Sequence, residues 1–184
     1  MTKEEIIKQT TWDEDGIGSM AVFVKLFEKE LPVSLFAEDY SDPQVSDKMV
    51  EALNDVINLS LEELPKVKQL LWEECLFSFQ VADYGVTQME GETLLAAQLR
   101  EFEISNEEDA FSKSRIETIQ VHYENDEFAG RYAEIKVESA ANNYISLIVK
   151  DGHIVDFDDD GTHLGWFDED PQYAKKKRDK FLIE

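Results

Sequence analysis

An α+β fold is what this sequence predicts, and three observations lead there. Apolar runs of strand length lie near the N-terminus and again in the last third of the chain. Between them, apolar residues recur at helical spacing. The two patterns are segregated rather than alternating, which disfavours a doubly wound parallel sheet. The expected architecture is an N-terminal β-hairpin, two or three central helices, a C-terminal antiparallel sheet and a short terminal helix. The 184 residues are 42% hydrophobic and 11% aromatic, enough for a packed core rather than a disordered chain. Neither a repeat nor a linker divides them, so 1–184 reads as a single α+β domain.

Each element has its own signal. Met20–Phe27 and Leu31–Ala37 are rich in Val, Leu and Phe and flank Glu28-Lys29-Glu30, the pattern of a hairpin. Pro32 has no N–H for a ladder and points to an edge or a strand entry. Asp42-Pro43 reads as a helix start, with Asp42 as N-cap and Pro43 in the first helical position. Val45, Met49, Ala52, Leu53 and Val56 then form one stripe. After a very short joint, Ser60-Leu61-Glu62-Glu63 has the capping-box pattern. Leu64, Val67, Leu71, Cys75 and Phe79 line one face of the next helix, widened by Trp72 and Leu76. Pro65 is tolerable because it falls in the first turn, where backbone donors lack partners.

Residues 81–113 are ambiguous. Leu94, Leu95, Gln98, Leu99 and Phe102 suggest a third, shorter helix, and Asn106–Asp109 a charged loop or a helix start. Alternation then takes over. Ile119, Val121 and Tyr123 interleave with Gln120 and His122, and Ala133, Ile135 and Val137 with Glu134, Lys136 and Glu138. Both read as half-buried strands, apolar on one face. Tyr144–Val149 is the next strand, Asp151-Gly152 a tight turn, and Ile154, Val155 and Phe157 the return. Asp170 would cap a last helix starting at Pro171, with Lys175-Lys176-Lys177-Arg178 in turns where the helix dipole favours cations.

Charge limits the function. Eighteen Lys and Arg face 41 Asp and Glu, a formal net charge of −23. Phosphates and anionic lipid would be repelled, so no nucleic acid and no membrane are expected as partners. No stretch has the length of a signal peptide or of a membrane span, so a cytoplasmic location is expected. Cys75 is the single cysteine and cannot form an internal disulfide. It falls on the apolar face of a predicted helix and reads as a small core residue.

The sharpest local motif is Asp156-Phe157-Asp158-Asp159-Asp160-Gly161, the first half of a calcium loop. Its alternate carboxylates, Asp156, Asp158 and Asp160, could face a hard cation. The twelfth position, however, is Phe167 where a bidentate Glu is needed, Asp168 comes one residue late, and a strand rather than a helix enters the loop. An acidic solvated turn is the preferred reading. His153 and His163 bracket the segment and could join Asp156 or Asp158 on a transition metal, but ten residues is no recognised ligand spacing. Polar turn residues are again the simpler account. No Gly-rich phosphate loop, G-x-S-x-G, H-E-x-x-H or C-x-x-C is present.

Tyr132-Ala133-Glu134-Ile135, Tyr144 to Gly152, and Gly161-Thr162-His163-Leu164 together resemble the C-terminal part of an uncharacterised family of small bacterial cytosolic α+β domains. That family is similar in style to immunity proteins encoded beside polymorphic or contact-dependent toxins. Its Trp-Glu-x-Glu-His-Gly-like segment before the last hairpin is replaced here by Ala140-Ala141-Asn142-Asn143. The resemblance implies a bacterial domain and carries over no catalytic residue.

Charge and resemblance together lead to an acidic protein-binding module, an immunity-type inhibitor that neutralises a basic toxin domain, and not to an enzyme. Three consecutive carboxylates at Asp158-Asp159-Asp160 need a compensating cation, the Lys175–Arg178 block or a basic partner. For a basic partner, Trp166 and Phe167 would be partly exposed anchors, with Asp158, Asp160, Asp168 and Asp170 as a charged rim. The alternative is a divalent-metal-binding domain or metal-dependent enzyme using Asp156–Asp160, with calcium as its ion. Without that loop, no cofactor is expected.

Overall fold

The computed structural model describes residues 1–182. Its N-terminal hairpin joins β2 (Ile17–Val24) to β3 (Lys29–Phe36) through a short 3₁₀ turn and a left-handed Glu28, φ 49°. Along β2, Met20, Val22 and Val24 are buried while Ser19, Ala21 and Phe23 are exposed, as the two-residue period of a strand requires. Pro32 pairs with Ala21 of β2 and lies one residue before the stretch of β3 that pairs with another strand. Its missing N–H therefore falls where β3 has one neighbour. A two-residue strand, β1 (Thr11–Trp12), extends the hairpin outward. Before it comes α1 (Lys3–Gln9), which the patterns above do not announce. A capping box between Thr2 and Glu5 opens that helix, and Ile6 is its buried residue.

The predicted first central helix begins later than Asp42-Pro43. It is α2 (Asp47–Ile57), capped by Ser46, whose hydroxyl accepts from Met49 N–H at 3.1 Å. The same hydroxyl donates to Asp126 at 2.8 Å, which anchors the cap to the rest of the fold. Val45 is buried one residue before the cap and fixes how the chain enters the helix, so Pro43 stays in the loop. Ser60 caps a 3₁₀ turn at Leu61–Glu63 that runs directly into α3 (Leu64–Val81), with Pro65 in its first turn. The third helix is present as α4 (Leu94–Glu101), and Asn106 caps a short fourth, α5 (Glu107–Lys113).

The chain then forms β4 (Arg115–His122), β5 (Tyr132–Glu138), β6 (Tyr144–Lys150) and β7 (His153–Asp159). One seven-stranded sheet results, in sequence order, antiparallel at every pair except β3–β4, which is parallel. The expected α+β class holds. Two short helices end the described chain, α6 (Gly165–Glu169) and α7 (Tyr173–Phe181). The latter starts after Pro171 and not at it, while Asp170 accepts from Gln172 N–H at 3.0 Å just before the helix. No helix among the described residues is long and apolar enough to cross a membrane.

One face of the sheet carries the main core, where Leu35, Ile119, Ile135 and Leu147 share a cluster with Leu53, Val56, Leu71 and Phe79 of the helices. Cys75 belongs to it, and burial pushes its thiol well above the usual range, so it stays protonated. Leu64 and Trp72 are half-buried at its margin. The other face departs from expectation. β5 reads as a half-exposed strand, yet Glu134 and Lys136 are 3% and 7% exposed. The segment after β7 folds back over them, and a second small cluster of Tyr132, Ile148, Leu164, Phe167 and Ala174 forms beneath it. Burying Glu134 and Lys136 is tolerated because they meet each other: Lys136 Nζ donates to Glu134 Oε2 at 2.6 Å and to Ser146 Oγ at 2.8 Å.

Candidate functional site

The predicted site lies in this C-terminal cover. The register between β6 and β7 shifts between Ile148 and Val149. Phe157 then faces the main core, while Asp156 and Asp158 lie opposite Ile148 and Ser146. Helix α7 answers them. Arg178 Nη2 donates to Asp156 Oδ1 at 2.7 Å, and Lys177 Nζ reaches both Asp158 Oδ1 and Asp159 Oδ2 at 2.8 Å. Asp160 Oδ1 lies 2.8 Å from Lys136 Nζ, and Thr162 donates to Asp158 Oδ2 at 2.7 Å. Burial opposes the charge on Lys177, but the two aspartates outweigh it and hold its pKa above the usual lysine value. Of the three compensations that Asp158-Asp159-Asp160 could have, the chain supplies its own basic block and Lys136.

That arrangement corrects two expectations. Asp156, Asp158 and Asp160 turn to three different cations of the chain and do not converge. Among the described residues, no group of three or more His, Cys, Asp or Glu side chains is placed to hold a metal. His153 and His163 are also apart: His153 Nδ1 is 2.9 Å from Glu63, and His163 Nδ1 is 3.9 Å from Glu124. The second correction concerns the anchors. Trp166 is 42% exposed, as expected, lying against Tyr173 and His163 at ring separations of 4.8 and 5.6 Å. Phe167 is 1% exposed and belongs to the small cluster. Adjacent residues of a helix lie roughly 100° apart, and in a helix as short as α6 the side that packs on the small cluster takes Phe167 and leaves Trp166 at its margin.

Nor do the rim aspartates form a free rim. Asp168 accepts from the N–H groups of Ala129 and Gly130 at 2.7 and 3.0 Å and from the Tyr132 hydroxyl at 3.1 Å. Burial would raise its pKa, but these donors win and hold it below the usual carboxylate value. Asp170 binds Lys176 at 2.6 Å, which lowers its pKa. Both carboxylates tie the cover down.

Where the cover stops, the sheet face opens into a cleft of about 380 Å³ bordered by Phe36, His122, Glu124, Glu134 and His163. Phe36 and His122 are cross-strand partners on β3 and β4, and their rings stack at 4.2 Å and 6°. His122 Nε2 is buried without a hydrogen-bond partner, 3.6 Å from Glu134 Oε1. Burial holds its imidazole below the usual histidine pKa, against the pull of Glu134 and Glu124. A neutral ring beside two carboxylates can receive a cationic N–H group.

Ala37, on one wall of the cleft, leads into Glu38-Asp39-Tyr40-Ser41-Asp42. That loop packs on Asp13-Glu14-Asp15-Gly16. Gly16 has φ +72°, and Tyr40 Cα sits 2.6 Å from where a side chain at Gly16 would begin, so only glycine fits. The two loops bring Asp13, Glu14, Asp15, Glu38, Asp39 and Asp42 to one end of the sheet around Tyr40, which is 70% exposed. Hydrogen bonds from Ser41, side chain first and backbone second, hold Asp39 below the usual pKa. Among the described residues, none of these six carboxylates takes part in an ion pair. The sequence carries a signal for this end, because residues 9–24 and 30–47 contain no Lys or Arg. The acid-rich hairpin is the more continuous signal, although a basic block follows it closely.

No family model, curated protein or solved structure matches the chain.

Proposed function

We propose that the protein is an acidic binding module for a basic protein, acting as an immunity-type inhibitor of a basic toxin domain. Its binding face is the acidic end of the sheet and the adjoining cleft, not the 156–170 hairpin. The observation that carries this reading is the contrast in charge compensation. The hairpin carboxylates are answered by Lys136, Lys176, Lys177 and Arg178, whereas the six around Tyr40 have no cation partner among the described residues. Uncompensated like charges repel one another in the free protein, and a basic surface relieves that repulsion on binding. Tyr40, three residues beyond the lining residue Ala37, and Trp166, whose ring meets that of the lining residue His163, supply exposed aromatic surface of the kind that anchors interfaces.

The test begins with affinity capture from the native host, followed by titration of the purified partner. Neutralising Glu38, Asp39 and Asp42 together (E38Q, D39N, D42N) is expected to slow association at least tenfold at low salt and to flatten its salt dependence. Tyr40→Ala is expected to speed dissociation. Binding that ignores ionic strength, or that survives the triple neutralisation unchanged, rejects the reading. Co-expression with the partner completes the test: an inhibitor restores growth of cells that the partner alone kills.

A further inference from the structure

At the opposite end of the sheet, the start of β6 and the end of β7 form a second cleft with the last turns of α3 and with α7. Its volume is about 380 Å³, within the range of small-ligand sites. Phe77, Val81, Phe157 and Phe181 give it apolar walls. The rings of Phe77 and Phe181 meet edge to face at 6.3 Å and 71°. Val81, Tyr144 and Phe181 are 44, 58 and 56% exposed, so apolar surface gathers at its mouth.

Its polar lining is built around Glu74, which is 1% exposed. Glu74 Oε1 accepts from Ser78 Oγ at 2.7 Å and from Asn143 Nδ2 at 2.9 Å. Asn143 Nδ2 is also 2.9 Å from Tyr84 Oη, which closes the network. Among the described residues, Glu74 Oε2 is buried without a hydrogen-bond partner at ordinary distance, and the Cys75 thiol, a weak donor, is its neighbour on the core side. Among the described residues no Lys or Arg pairs with Glu74, because the two cations of the lining are already committed: Lys177 to Asp158 and Asp159, Arg178 to Asp156. Among the described residues, Glu74 is the one carboxylate of the lining without an ion-pair partner. An orphaned buried carboxylate oxygen is costly unless a donor reaches it.

We propose that this cleft binds a small apolar molecule carrying one protonated amine. Its ammonium group meets Glu74 Oε2, and its apolar body lies between Phe77, Val81 and Phe181. The site is independent of the acidic end of the sheet, so the two can fail separately.

Phenethylamine is a suitable probe, with 2-phenylethanol and 3-phenylpropionate as neutral and anionic counterparts of similar shape. In titrations of the full chain followed by amide NMR, phenethylamine is expected to shift Ser78, Asn143 and Tyr144. It should bind at least about tenfold more tightly than the alcohol, the factor that one charged hydrogen bond supplies, and the carboxylate should not bind. Glu74→Gln should erase the preference for the amine. Should that variant fail to fold, Val81→Arg at the exposed mouth places a cation against the ligand and should weaken the amine by a similar factor. Equal binding of the three probes, no binding of the amine at 10 mM, or shifts confined to Phe36, His122 and Glu38 would overturn the assignment. The last result would mark attraction to the acidic surface at large.

Discussion

On the helix side of the sheet, Leu35, Ile119, Ile135 and Leu147 meet Leu53, Val56, Leu71 and Phe79, and every partner is apolar. On the cover side, Glu134, Lys136, Ser146, Asp156 and Asp158 meet Asp160, Thr162, Lys177 and Arg178, and nearly every contact is a charge pair or a hydrogen bond. Among the described residues, five buried ones form the apolar cluster there. The same strands thus bury two kinds of surface. The apolar face is held by an undirected force that tolerates repacking. The polar face is held by pairs that work only when both members are present. A cover built in this way defines one position for itself and contributes less stability than its buried area suggests.

The sharpest way to break this comparison is to damage each side by one residue. Phe79→Ala on the helix side is expected to cost about 3–5 kcal/mol, read from the urea midpoint at constant m. Lys136→Met on the cover side is expected to cost about 3 kcal/mol, because it strands Glu134 beneath the cover. Adding Glu134→Leu to Lys136→Met should recover most of that loss. No single neighbour change is expected to rescue Phe79→Ala to the same extent, because the cavity it leaves is bordered by several side chains. If Lys136→Met alone costs less than ~1 kcal/mol, water reaches the pair and the two faces are not as different as described.

A smaller effect separates the faces by pH. His122 lies at the edge of the cover, faced by Glu134, Glu124 and Lys136, and burial lowers its folded pKa below the ordinary value of about 6.5. The unfolded chain therefore takes up a proton first as pH falls. Stability should drop between about pH 6.5 and the folded pKa, by at most about 1.4 kcal/mol per pH unit. His153 has the opposite sign, since its hydrogen bond to Glu63 raises its pKa. Its contribution is present below about pH 6.5 and lost as pH rises through the folded pKa. It is exposed at 74% of its side chain, so solvent screens it and His122→Asn should remove most of the acid-side slope. The smallest effect is expected from Lys175→Ala. Its partner Asp179 is four residues away on an exposed helix face, and about 0.5 kcal/mol or less should be lost.

The helix side was legible in the sequence because its signals are local. The stripe Val45 to Val56 and the run Leu64 to Phe79 state their own periods, and Asp151-Gly152 states its turn. α1 was not read, although Thr2 and Glu5 have capping-box spacing, because seven residues burying one Ile6 leave no stripe. The cover side was misread for a different reason. Glu134 and Lys136 alternate with apolar residues as they would on a wet strand, and the segment that dries them lies at least 24 residues later in the chain, from Asp160 onward. Period tells which face a residue is on, not what covers that face. The acidic end at Tyr40 was missed because it is assembled from two loops, whereas Asp158-Asp159-Asp160 is continuous in the sequence.

The parallel pairing of β3 with β4 bears on the order in which the protein folds. Every other strand pair is joined by a short connection, but this one joins Val33–Phe36 to Ile119–His122 across four α-helices. Closing a loop over residues 37–114 costs roughly 4 kcal/mol of chain entropy on a (3/2)RT ln n estimate, before any contact repays it. The β4–β7 meander and the β2–β3 hairpin need only short closures and can form early. Their union across β3–β4 is then the slow event, and the helices α2 to α5 must be in place to make it favourable. Substitutions at Val33, Leu35 or Ile119 should slow refolding, while those at the β6–β7 turn should leave its rate nearly unchanged. During synthesis the hairpin emerges first and must wait for a partner strand some eighty residues behind it, with Phe23 on its exposed face meanwhile.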